Sequence, residues 1–180
     1  MDLITEKFGA QEVAAATGTT PKQITDWCNQ GHIFGQKEPL GKGRRREFTF
    51  RNVMQIAGAV ELMQVGVTAP GDAFRAAAYF AHIESEHSEV GGKENPPLPV
   101  RKASFPYHFE DGETFLAVSG RQGSVVLSKA GEINVRRIFP LHRKPVGLIL
   151  LDVTEVFKTV IARMDTGSNW AQILNEVYGR

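Results

Sequence analysis

Lys37, Lys42, Arg44, Arg45, Arg46 and Arg51 stand within residues 37–51 against only Glu38 and Glu47, a local charge of +4 in a 180-residue chain whose formal net charge is +1. Side chains of this kind neutralise phosphates and release their counterions, so a nucleic-acid backbone is the ligand chemistry such a cluster fits. Directly upstream, the stretch "TTPKQITDWCN" brings Thr19, Thr20 and Lys22 to one end of a short element and Gln23, Thr25 and Asn29 further along it. These donors and acceptors suit base edges and phosphates. They form the candidate double-stranded DNA contact set with Lys42, Arg44, Arg45, Arg46 and Arg51. A second basic group, Arg136, Arg137, His142, Arg143 and Lys144, is a candidate anion contact, or else a set of edge-strand charges that discourages pairing.

Other chemistry finds little support. His82 and Glu86 are spaced for one helical face, with His87 adjacent, but they run into an acidic connector without a third ligand, so no metal site is expected. The single cysteine, Cys28, can form neither an internal disulfide nor a paired thiolate site. The G-x-S-x-G, P-loop, dinucleotide and H-E-x-x-H patterns are all missing. Neither catalysis nor a cofactor is expected.

The elements that must position the contact set are short. Residues 11–17 read as a helix with Val13 and Ala14 inward, closed by Gly18. A second helix starts almost at once: Thr20 is a good N-cap, Pro21 suits the first turn, and Gln23 completes a capping box. Ile24, Trp27 and Cys28 form its apolar stripe, leaving Lys22, Thr25, Asp26 and Asn29 on the other side, and Gly31 ends it. Helices this short need a third element to pack against. Residues 33–36 and 46–50 are expected to supply it as a β-hairpin turning at Gly41-Lys42-Gly43. Thr49 then caps a helix with Val53, Ile56, Ala57, Val60 and Met63 at helical spacing, and an alanine-rich helix follows over 69–83.

Residues 85–99, "SEHSEVGGKENPPLP", lack periodicity and read as a linker. The expected organisation is therefore a domain over 1–84, a connector over 85–100 and an α+β domain over 101–180. In the last, strands are expected at 105–109, 114–119, 125–128 and 133–139 as an antiparallel meander, then at 147–151. Asp152 to Glu155 opens a helix with Val153, Val156, Phe157, Val160, Ile161 and Met164 on one face. A terminal helix repeats the pattern with Trp170, Ile173, Leu174, Val177 and Tyr178, a candidate dimer contact. No apolar run nears the roughly 20 residues that span a bilayer, and the first nine residues lack the sections of a signal peptide. A cytoplasmic protein is expected.

Two helices around a tight turn, a "W-x-x-x-G" ending, a basic hairpin and a helix opened by aromatic-Thr-x-x-Asn resemble the winged helix-turn-helix of the MerR-like superfamily. The residues that carry the resemblance are "EVAAATGTTPKQITDWCNQGHI" and "GKGRRREFTFRNVMQI", within roughly the first 80 residues. It implies a winged helix-turn-helix, mainly α with a β-hairpin wing, which together with the meander and its amphipathic helices makes the expected fold class α+β. It also implies a bacterial or phage-borne regulator that binds duplex DNA as a homodimer, the second helix in the major groove and the wing on the backbone. Thr25 stands where regulators of the family usually carry arginine, and the C-terminal region lacks the cysteines of its metal sensors. A phage DNA-packaging or excision factor is an alternative with the same first domain. A small-molecule-binding or enzymatic α+β domain with a helical interaction module is another.

Overall fold

A computed structural model describes residues 3–36, 45–84, 100–107, 112–129, 133, 138, 147–164, 167 and 169–179. Among them are six helices and two small antiparallel sheets. Strand β1 (Lys7–Phe8) leads into helices α1 (Ala10–Thr17) and α2 (Pro21–Asn29), then β2 (Phe48–Thr49), α3 (Phe50–Gln64) and α4 (Pro70–Ala81). The second half contributes β3 (Gly112–Ser119), β4 (Gln122–Lys129), β5 (Ile149–Asp152), α5 (Val153–Met164) and α6 (Trp170–Tyr178).

Local chemistry accounts for the helix starts. At α2 the Thr20 hydroxyl accepts from Gln23 N at 3.2 Å while the Gln23 Oε1 accepts from Thr20 N at 2.9 Å, the reciprocal box its sequence spells. Thr49 caps α3 in the same way through Asn52, and Asp152 Oδ1 accepts from Thr154 N and Glu155 N at the head of α5. Gly18 closes α1 at φ +68°, a left-handed conformation that costs glycine nothing and lets α2 begin shortly afterwards.

Two expected strand assignments are corrected. Phe48–Thr49 does not pair with 33–36; its antiparallel partner is Lys7–Phe8. Burial drives that choice, because Phe8 and Phe48 both enter the core and 33–36 forms a turn. The link to 33–36 is made by side chains instead: Gln36 Nε2 donates to Glu47 O at 2.9 Å, and Arg46 Nη1 donates to Gln36 O. The turn expected at Gly41-Lys42-Gly43 lies outside the described residues. Residues 105–107 are likewise not a strand. The segment is held to the end of α4: Ser104 N donates to Phe80 O at 3.1 Å, its hydroxyl to Ala81 O at 2.7 Å, and Ser104 adopts φ +73° to make both bonds. Of the expected strand at 133–139 only Ile133 and Ile138 are described, and neither is in a strand.

The larger sheet runs β4-β3-β5, with Leu116 opposite Val125 on one side and Leu151 on the other. It lies against α4 so closely that a Cβ on Gly123 would stand 2.8 Å from the Tyr79 ring and 3.1 Å from Ala76 O. Only glycine fits there.

Residues from both sides of the 85–99 stretch enter one apolar cluster. At its centre Phe50 of α3, Phe105 and Phe157 of α5 form an aromatic triad with centroid separations of 5.3, 5.9 and 6.1 Å. Part of the terminal stripe enters the same core: Ile173 and Leu174 are buried, and Tyr178 donates to Pro106 O at 3.0 Å. Of the stripe expected as a dimer contact, these side chains pack within their own chain, while Trp170 stays 38% exposed. Residues 85–99 themselves lie outside the described set. No helix among the described residues is long and apolar enough to cross a membrane.

Candidate nucleic-acid interface

Burial of Ile24 and Cys28 orients α2 and leaves Thr20, Lys22, Gln23, Thr25 and Asn29 exposed, with Thr19 and Asp26 half-buried. Trp27, expected in the core, is only half-buried, its ring 5.0 Å from that of Phe74. The polar groups of the outer face are mostly engaged with one another. Lys22 Nζ pairs with Asp26 Oδ2 at 3.2 Å while its side chain stays 87% exposed, so the ammonium remains open to a phosphate and the neighbouring acid is partly neutralised. Thr25 donates to Pro21 O, and Gln23 Oε1 serves the cap.

Arg46 occupies a different role from its neighbours. Its Nη2 donates to Asn29 Oδ1 at 3.0 Å and its Nη1 to Gln36 O, so it ties the end of α2 to the entry and exit of residues 37–45. The same guanidinium opposes the upward shift that burial imposes on the Cys28 thiol. Arg46 is thus a pin as well as a cation. Arg45 is exposed, and Arg51 on α3 pairs with Glu84 at 3.4 Å. Lys42 and Arg44 lie outside the described residues, as do Arg136, Arg137, Arg143 and Lys144.

Buried polar residues of α3 hold the turn that follows α2. Gln55, 2% exposed, makes four bonds: Oε1 accepts from Phe34 N at 3.0 Å and faces His82 Nε2 at 3.1 Å, and Nε2 donates to Phe74 O and His32 O. Because Phe34 N–H can only donate, Oε1 must be the atom facing it, and His82 must carry its proton on Nε2. Asn52, also buried, donates to Phe34 O at 2.9 Å. Both amides sit among Val53, Met54, Ile56 and Ala57 on α3. A polar residue inside so apolar a run was the available signal, since a buried amide must find partners.

The spacing of His82 with Glu86 along one helix does not hold, because α4 ends at Ala81 and His82 is its C-cap. Glu86 and His87 are outside the described residues. Burial first, and Arg51 second, lower the His82 pKa from 6.5 to about 4. The unfolded imidazole therefore binds a proton that the folded one refuses, and stability falls as pH drops from 6.5 toward 4. Because the ring is half-exposed, the loss is about 1–2 kcal/mol. Urea midpoints at neutral pH and at the acid end of that window, compared between the native chain and His82→Gln, should show the variant losing less. Equal losses would remove His82 as the cause.

No protein-family model and no curated protein sequence matches this chain.

Proposed function

We propose that the chain binds double-stranded DNA as a sequence-specific transcriptional regulator of winged helix-turn-helix type, placing α2 in the major groove and the basic segment 42–46 along the backbone. The observation that carries this reading is the Arg46 bridge. It tethers the base of the basic segment beside Asn29, on the one face of α2 that Ile24 and Cys28 leave outward. Arg46 and the exposed polar side chains of α2 would then meet a duplex together, which is what a helix and an adjacent basic arm require. A single small helix makes few contacts, so two copies on half-sites about one helical turn apart would supply the affinity.

The test is the salt dependence of duplex binding. Lys42, Arg44 and Arg45 changed together to alanine should flatten the slope of log affinity against log salt by about 0.9 for each phosphate that is no longer neutralised. Arg46 is left in place because its removal would also unpin α2. Unchanged affinity and unchanged slope in that variant would end the reading.

A further inference from the structure

Phe34 is 67% exposed, the most exposed large apolar side chain among the described residues. Isolated apolar residues on a surface need no explanation, but this one is held in an unusual way. Its backbone N–H is bound by Gln55 at 3.0 Å and its C=O by Asn52 at 2.9 Å, both from buried side chains of α3. Its ring leans on the His82 imidazole, centroids 4.7 Å apart at 38°. The side chain is thus a rigid aromatic projection with a fixed root. Two residues on, Gln36 O receives the Arg46 guanidinium that also binds Asn29, so the ring emerges within a few residue lengths of the outer face of α2 and of the basic segment. Arg51, at the start of α3, stands on the same element as the two amides that hold the root.

Leaving a phenylalanine in water forgoes the gain of burying it. An exposed apolar ring on a fixed root, with Arg46 bound two residues along the chain and Arg51 on the helix that holds the root, has the properties of the side chains that enter a base step from a groove: they part the stack, while neighbouring cations hold the phosphates on either side. We infer that Phe34 is a wedge that inserts at one base step of the bound duplex and bends it. The inference rests on the DNA-binding reading above and adds to it a residue and a deformation. Because pyrimidine–purine steps unstack most readily, a TA or CA step is expected at the point of insertion, giving selectivity beyond what α2 reads.

The experiment uses the full chain and a short duplex that it enriches from a random pool, with 2-aminopurine placed at successive positions and end labels reporting the end-to-end distance. Binding should brighten 2-aminopurine at one step and shorten that distance. Phe34→Ala should abolish both signals and weaken binding roughly tenfold, with the salt slope and the thermal midpoint retained; Phe34→Leu should keep part of the bend, since a branched aliphatic side chain also wedges. Salt-sensitive binding with no brightening and no bend would overturn the wedge and leave the DNA-binding reading standing. If no duplex is bound in a salt-sensitive way, both fall. If Phe34→Ala instead changes only the sedimentation of the free protein, the ring serves contact between copies and the wedge is wrong.

Discussion

Replacing Arg101 by methionine is expected to lower the unfolding free energy by about 3 kcal/mol, because three carbonyls lose a donor at once. The guanidinium is 1% exposed, lies over the Phe80 ring at 5.0 Å, and donates to Phe80 O and Lys102 O at 3.1 Å, to Tyr79 O and Phe105 O at 3.4 Å, and to Ile83 O. Those of Tyr79 and Phe80 belong to the last turn of α4, where carbonyls have no partner within the helix and the helix dipole favours a cation. Two effects compete. Methionine relieves the cost of burying a charge, which is several kcal/mol, and that cost is visible in the downward shift that burial imposes on the Arg101 pKa. Against it, each carbonyl left without a donor costs about 1–3 kcal/mol. Phe80 O keeps Ser104 N and Lys102 O keeps Phe105 N as donors, but the carbonyls of Tyr79, Ile83 and Phe105 lose the guanidinium together, and the second effect wins. Arg101→Lys keeps the charge but offers no planar fork, so a loss of about 2 kcal/mol is expected. Urea denaturation measures both, and a methionine variant within about 0.5 kcal/mol of the native chain would show that the carbonyls find other donors.

Phe157→Ala is expected to cost about 4 kcal/mol, the range for removing an aromatic ring from a packed core. The more informative result is where the loss appears. Phe157 sits between Phe50 and Phe105, so its removal opens a cavity shared by the helices before residue 85 and the elements after residue 100. Each part has its own tryptophan: Trp27 beside Phe74, and Trp170 at the start of α6 with Lys158 Nζ 4.8 Å from its ring centre. In single-tryptophan chains, Trp170→Phe and Trp27→Phe, both emission transitions should coincide and should move together when Phe157 is replaced. A Trp27 transition that stays put while the Trp170 transition shifts would mean that the first part folds independently.

The Phe34 wedge and the His82 titration meet at Gln55. One buried amide sets the backbone under the exposed ring and the tautomer of the imidazole behind it, so the candidate interface is fixed from beneath by α3. On the reading proposed above, a duplex would compete with the intrachain partners of Gln23, Thr25 and Lys22, whereas Lys22 stays largely exposed in its ion pair and Arg45 is exposed.

What the sequence by itself determined is the local chemistry of the helices. The boxes at Thr20 and Thr49, the Asp152 cap and the left-handed turn at Gly18 depend on residues two to four positions apart, so their outcome is written within a single turn of chain. The outward face of α2 followed from Ile24 and Cys28 alone for the same reason. Tertiary structure alone decided what Phe48, Ser104, Gln55 and Arg101 do. Strand pairing, the burial of an amide and the capping of a helix by a distant guanidinium are settled by competition among groups far apart in sequence, as Gln55 with Phe34 and Arg101 with Phe80 illustrate at separations of 21 each. Local periodicity carries no term for such contacts. The apolar stripe of α6 makes the same point: its spacing announced a face to be buried, and only the core of the same chain determined that Ile173 and Leu174 enter it while Trp170 stays exposed.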